Sequence, residues 1–282
     1  MYLGEPLIIN LAPTGMVPTR AMSPHVPLQP DEIVKDVLAC AEIGISMVHV
    51  HARDLDGVPA WDKDIYARII GGIRERRPEL IIGVSCSGRN FPAFEQRSAV
   101  LDLDGDLKPD TASLTLASLN FGSQASVNSP EMVQALAARM VERGILPELE
   151  IFDLGMANYA RYLVDKGKLP GALYANLLFG NIATAQADLL SIGAVVASLP
   201  PSTVWSLAGI GSDQIPICAV AAASAPGVRV GLEDNLWMDG GRKRLATNSD
   251  LVRRVHDLAA HMGRSIMGAQ DLRTRLGLEA RR

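Results

Sequence analysis

His49-Val50-His51 places two imidazoles at strand spacing, inside the run Ile45-Ser46-Met47-Val48-His49-Val50-His51-Ala52-Arg53-Asp54. Side chains two apart on a β-strand share a face, so both rings can converge on one metal ion. The same pair could also be two polar residues hydrogen-bonded at a strand end. Deciding between these readings requires the elements that would bring further ligands to the two rings.

Short β-branched apolar runs alternate with helix-length segments along the 282 residues. The strand candidates are 7–12, 46–51, 80–85, 111–116, 146–152, 173–179, 203–208 and 228–232. Pro30-Asp31-Glu32 opens a helix that ends near Gly44, Asp62 opens one that ends before Pro78, Ser129-Pro130-Glu131 opens one that ends at Gly144, and Asn248-Ser249-Asp250 opens the last. No Gly/Ser/Pro-rich linker or repeat divides the chain. This alternation predicts one α/β domain over 1–282, a single (β/α)8 TIM barrel, with residues 265–282 as a C-terminal helical extension that is solvated or contacts another subunit. A doubly wound sheet is the competing fold. It is weakened because Ala12-Pro13-Thr14-Gly15 stands where a dinucleotide-binding glycine turn would follow the first strand.

Composition narrows the function classes. With 27 basic and 31 acidic residues the formal charge is −4, and no basic run is long enough to track a phosphate backbone, so nucleic acid is not an expected partner. Three cysteines without C-x-x-C spacing argue against a disulfide framework or a thiolate zinc cage, which suits a reducing, cytoplasmic setting. The N-terminal residues lack the pattern of a signal peptide, and no apolar run approaches the ~20 residues that span a bilayer, so no membrane association is expected.

Barrel enzymes collect their reactive groups at the C-terminal ends of the strands. Here those ends carry His49 and His51, then Ser85-Cys86-Ser87, Ser113 and Thr115, Glu148 and Glu150, and Arg229 with Glu233-Asp234-Asn235. In a closed barrel the eighth strand lies beside the first and two places from the second, about 10 Å at the usual ~4.8 Å spacing. A carboxylate after the eighth strand can therefore meet the two imidazoles. Two histidines, one carboxylate and an open position form a catalytic zinc ligand set, which manganese or iron would also accept.

Together these residues amount to a resemblance. Asn10-Leu11-Ala12-Pro13-Thr14-Gly15, Thr19-Arg20, Pro30-Asp31-Glu32-Ile33, Val48-His49-Val50-His51-Ala52-Arg53-Asp54, Ala112-Ser113-Leu114-Thr115, Glu148-Leu149-Glu150-Ile151-Phe152-Asp153, Trp205-Ser206-Leu207-Ala208-Gly209 and Gly231-Leu232-Glu233-Asp234-Asn235 follow in order through the chain. This succession resembles the β-keto acid cleavage enzyme family, whose first characterised type cleaves 3-keto-5-aminohexanoate. The resemblance implies a zinc-dependent barrel that condenses a β-keto acid with acetyl-CoA and returns acetoacetate and a new acyl-CoA. It implies His49, His51 and Glu233 as zinc ligands, Asp234 as base assisted by Arg229, and Ser85 and Ser113 as hydroxyl donors to developing negative charge. Thr115, Glu148 and Glu150 become substrate-facing candidates, with Glu150 favoured. It also implies a homo-oligomer, a tetramer.

The other classes fit less well. A different metal-dependent barrel lyase or aldolase would use the same two histidines, whereas amidohydrolase-type hydrolases need further histidines in mid-chain, and none occurs between His51 and His256; a non-catalytic metabolite-binding barrel would leave the metal set and the Arg229, Glu233 and Asp234 cluster unexplained. Arg53 and Asp54 read as a local ion pair or as support for the histidines, and Cys86 as packing. One departure from the family bears on substrate. Gly15-Met16-Val17-Pro18-Thr19 puts Val17 where the aminohexanoate-cleaving type has a glutamate suited to the substrate's ammonium. An ammonium buried without a partner costs several kcal/mol, so a neutral or apolar β-keto acid is expected.

Overall fold

The computed structural model describes residues 4–169 and 171–281. Its elements run β1 (Ile8–Leu11), α1 (Pro30–Ile43), β2 (Met47–Val50), α2 (Lys63–Arg74), β3 (Ile81–Val84), α3 (Phe94–Ser98), β4 (Thr111–Thr115), β5 (Leu119–Asn120), β6 (Ala125–Ser126), α4 (Pro130–Glu142) and β7 (Leu146–Ile151). They continue with α5 (Leu154–Asp165), β8 (Tyr174–Phe179), α6 (Leu189–Ala197), β9 (Val204–Gly209), α7 (Gln214–Ser224), β10 (Gly227–Val230), α8 (Asn248–His261) and α9 (Ala269–Leu276). Eight parallel strands close in the order β1-β10-β9-β8-β7-β4-β3-β2, which is the expected TIM barrel. Each of the eight sequence-predicted strands contributes one stave. The short antiparallel hairpin of β5 and β6, at the C-terminal mouth, was not anticipated; two-residue strands leave no periodicity to read.

Helix boundaries follow local chemistry. Pro30 opens α1 at a position where its missing N–H costs nothing, and Gln29 and Glu32 exchange reciprocal capping bonds. Asp62, Ser129, Asp153 and Asp188 each cap a helix by accepting a backbone N–H. Among the described residues no helix is long and apolar enough to cross a membrane.

The barrel interior is layered. Ile8, Met47, Ile81, Leu146, Tyr174 and Val204 form an apolar floor. Above it lies a polar layer: Asn10, His49, Thr111, Glu148, Asn176 and Ser206 are buried and share hydrogen bonds with one another and with the Tyr174 hydroxyl. Gly83 is required in this layer, because a Cβ there would come within 2.5 Å of Thr111 Oγ1 and 2.6 Å of Glu148 Oε2.

The C-terminal extension departs from expectation. Met267, Leu272 and Leu276 pack on the apolar floor, so α9 plugs the N-terminal end of its own barrel and is not a solvated tail. Arg273 fixes it there: fully buried, it donates to both oxygens of Asp110 at 2.9 and 2.8 Å and to the carbonyls of Glu79 and Leu80. The plug is amphipathic because one face must cover the floor strands while the other meets water. Leu272→Ala should therefore cost about 2–5 kcal/mol. Urea unfolding reads this as a drop in midpoint relative to wild type whose size is the same at every protein concentration; a drop that vanished on dilution would return α9 to a subunit contact.

Candidate active site

His49 lies on β2 and His51 directly follows its last residue, and the alternation of the extended chain turns both rings to the barrel interior. Their Nε2 atoms lie 3.1 Å apart, and Glu233 Oε1 is 3.2 Å from His51 Nε2. One donor atom from each of the three residues falls within 4.8 Å of the others. Two imidazole nitrogens at that distance share at most one proton, so at least one lone pair faces the other ring unless a cation lies between them. His49 Nδ1 meets Glu148 Oε2 at 3.1 Å, which assigns the ring proton to Nδ1 and turns the Nε2 lone pair into the site. Glu233 Oε2 and Arg229 Nη1 are buried without a hydrogen-bond partner. An inward lone pair on His49, a supporting carboxylate and orphaned polar atoms fit a bound divalent ion, and His49, His51 and Glu233 are the residues that could hold it.

Glu233 and Asp234 reach the site from the loop after β10. The Glu233 amide donates to Ala12 O at 3.1 Å, the Leu232 amide to Asn248 Oδ1 at 2.9 Å, and Gln214 holds the Gly231 carbonyl. Gly15, at φ 67°, lies so near that a Cβ there would stand 2.5 Å from Glu233 Cγ, so this loop position admits only glycine. Arg229 is buried on β10 and binds both acids: Nε lies 2.9 Å from Asp234 Oδ2, and Nη2 lies 2.8 Å from Glu233 Oε1.

Electrostatics separate these groups. Burial pushes the Glu233 carboxyl up, but Arg229 and His51 outweigh it and hold it well below the usual range. Burial raises Asp234, Arg229 opposes, and the Glu233 charge beside it leaves the net shift upward. Asp234 is thus the more basic of the two carboxylates around one guanidinium. Burial would raise Glu148 as well, yet His49, its hydrogen bond and Arg229 bring it down to about 2. His49 is pressed toward neutrality by burial and lifted above its ordinary value by Glu148, whereas for His51 burial prevails and the shift is downward.

These residues open onto a cavity of about 710 Å³ at the C-terminal mouth, lined among others by Val17, Ser85, Arg89, Thr115, Glu150 and Asp234. Thr115 donates to Glu150 Oε2 at 2.5 Å, and Glu150 Oε1 lies 3.8 Å from Arg229 Nη1. Two sequence expectations need correction. Glu148 does not face the cavity: it is fully buried one layer below, where Asn10, Thr111, His49 and Asn176 occupy its oxygens, so it supports a histidine and cannot touch substrate. Ser113 is also off the cavity wall: it is buried behind it, where its Oγ accepts the Cys86 amide at 3.0 Å. Ser85 stays on the wall, with its Oγ accepting the Ser87 amide at 3.2 Å.

Arg53 does not pair with Asp54. It donates to the carbonyls of Gly15, Pro18 and Gly57 and so anchors the loop that carries Val17. Cys86 is buried, with its thiol pushed up to about 12, as packing requires. His25 is exposed and does not line the cavity; His256 Nε2 donates to the Gly44 carbonyl at the end of α1. Arg89 was missed by sequence reasoning, and it bears on the expectation of a neutral or apolar substrate. That expectation weighed only Val17, and Arg89 sits in Gly88-Arg89-Asn90, a loop sequence with no periodic signal to aim its side chain. Asn10 and Asn176 were also given no role, although a lone asparagine inside an apolar strand was a signal that could have found them.

A parallel barrel whose C-terminal mouth gathers two imidazoles and a carboxylate about one point has the layout of a barrel enzyme, with a cluster that could hold a divalent ion. Within that class, this chain belongs to the β-keto acid cleavage enzyme family, whose model matches residues 6–278. The 3-oxoadipate:acetyl-CoA acetyltransferase of Cupriavidus necator is 35% identical over 278 residues, covering 97% of this chain and 95% of that protein. The 3-keto-5-aminohexanoate cleavage enzyme of Fusobacterium nucleatum is 32% identical over 277 residues, covering 98% and 99%. The apo structure of ObcA superposes with a TM-score of 0.80 at 23% identity, over 91% of this chain and 66% of the ObcA chain, a likeness of fold.

The purified protein should bind about one divalent ion per chain. The double variant His49→Ala/His51→Ala should lose it, and Glu148→Gln should weaken affinity about 10–100-fold, because the carboxylate orients and polarises the His49 ring. Elemental analysis with competitive chelation measures both; full occupancy in the double variant removes the ligand assignment.

Proposed function

We propose that this protein condenses a β-keto acid with acetyl-CoA and returns acetoacetate and the acyl-CoA of the remaining carbons, with zinc held by His49, His51 and Glu233. The observation that carries the proposal is the sharing of one buried guanidinium, Arg229, between the candidate ligand Glu233 and the more basic Asp234, at the floor of the cavity. The family assignment supports the reaction. Relatives named for 3-oxoadipate, 3-keto-5-aminohexanoate and 3-dehydrocarnitine act on different acids, so the acid must be argued from this chain's own pocket.

When bound, the ion would supply Lewis acidity to the oxygens of the β-keto acid. The remaining chemistry falls to the protein's side chains. Asp234 takes a proton from C2 of the acid, and Arg229 holds the carboxylate toward the reacting carbon while lowering the cost of negative charge nearby. C2 attacks the thioester carbonyl of acetyl-CoA and the CoA thiolate leaves. The thiolate then adds to the original keto carbon, the bond from that carbon to C2 breaks, and the electron pair returns to C2. Asp234 gives the proton back, which completes acetoacetate. Ser85, on the cavity wall, offers a hydroxyl to oxygen charge that develops in these steps, whereas Thr115 spends its proton on Glu150.

A cationic acid lacks a partner at Val17, which stands half-exposed over the cavity. A homo-oligomer is also part of the proposal. The outer faces of α6 and α7 offer the contact, since neither helix contains a charged residue and Leu189 and Leu190 are 75% and 83% exposed. A monomeric mass by light scattering at micromolar concentration would reject it. For the reaction, acetyl-CoA and a panel of β-keto acids should give acetoacetate and the matching acyl-CoA by mass spectrometry. Asp234→Asn should lower kcat about 10²–10⁴-fold with the metal content retained; undiminished turnover in that variant would dismiss Asp234 as the base.

A further inference from the structure

Arg89 differs from the other buried or half-buried arginines of the barrel. Arg53, Arg97, Arg264 and Arg273 spend their guanidinium N–H groups on carbonyl, amide or carboxylate oxygens of the fold. The Arg89 guanidinium has neither a hydrogen bond nor an ion pair among the described residues, and its Nε is buried without a partner. The unpaired group is nevertheless held in place. Its carbon lies 3.5 Å from the centroid of the Phe121 ring, and Phe152 braces that ring edge-on at 5.9 Å. The backbone is tied as well, with the Arg89 amide donating to Ser87 Oγ and the carbonyl accepting from Gln124 Nε2. A guanidinium with five donors, laid on an aromatic face and stripped of much of its water, is costly until an anion completes it.

The position limits which anion that can be. Arg89 lines the same cavity as Glu150, Glu233 and Asp234 and is close enough to feel all three charges, although it pairs with none of them. The phosphates of CoA lie at the far end of the pantetheine arm from the thioester, so a CoA molecule reacting beside Asp234 leaves them toward the mouth, where exposed Arg242 stands. We infer that Arg89 is a specificity-determining residue that receives a second carboxylate, at the end of the β-keto acid remote from the reacting carbons, so that the preferred substrate is a dicarboxylic β-keto acid. This rests on the reaction proposed above. Planar guanidinium and carboxylate match in a two-bond fork, which a lysine cannot reproduce.

The test compares three acids in the metal-loaded enzyme with saturating acetyl-CoA: 3-oxoadipate, the uncharged-ended 3-oxohexanoate, and 3-keto-5-aminohexanoate. Wild type should turn over 3-oxoadipate with the highest kcat/KM and the amino acid with the lowest. In Arg89→Met the ratio of 3-oxoadipate to 3-oxohexanoate should fall roughly 100-fold, and Arg89→Lys should keep part of it. Because the readout is a ratio within each variant, a general loss of fold or activity cancels. An unchanged ratio in Arg89→Met overturns the inference, as does a raised KM for acetyl-CoA with the ratio intact, which would give the anion to CoA. Acetoacetate from 3-oxohexanoate without preference for 3-oxoadipate leaves the reaction standing and removes only the role of Arg89, whereas no acetoacetate from any of the acids removes both.

Discussion

The site depends on a carboxylate buried where no substrate reaches it. Glu148 sits in the middle of the barrel as an anion, and a lone anion there would be prohibitively costly, so the surrounding strands must supply its donors. Asn10 on β1, His49 on β2, Thr111 on β4 and Asn176 on β8 each provide one. Satisfying that carboxylate thus locks the register of staves on both sides of β7, since a one-residue slip would turn any of these groups to the outside. The same bond that neutralises the burial cost orients the His49 ring, so fold and ligand geometry share one interaction.

A second constraint stands above the first. Three acids, Glu150, Glu233 and Asp234, crowd around one guanidinium, and Arg229 cannot neutralise them all. Like charges held this close spread their proton affinities apart. Glu233 becomes the firm anion suited to a cation, and Asp234 the acid suited to receiving a proton. The division of labour between two chemically similar neighbours in sequence comes from what surrounds each one.

The eight staves, the long helices and the convergence of His49 with His51 were legible in the chain because each rests on a local period or a short fixed spacing: alternation in Met47-Val48-His49-Val50, Pro30 opening a helix, two histidines on one face of the extended run. What could not be read was depth. Glu148 and Glu150 lie on the same face of β7 and look equivalent in sequence, yet one is sealed in the polar layer and the other borders the cavity; only their height along the barrel axis separates them. Ser113 and Thr115 differ in the same way. Residues 265–282 looked like a tail because a short amphipathic helix reads alike whether its apolar stripe meets another subunit or its own floor. Arg89 escaped because loop geometry alone aims its side chain.

Arg53 has a consequence for how such an enzyme diversifies. Its guanidinium, two residues past His51, grips the carbonyls of Gly15 and Pro18 on either side of Met16 and Val17. Carbonyls are indifferent to which side chain their residue bears, so the grip survives replacement at 16 or 17. The path of the loop is set by the strand that holds the histidines, while its two intervening side chains are free to vary over the cavity. Substrate range can drift at those positions as interchangeable fittings on a fixed mount, without disturbing the chemistry below.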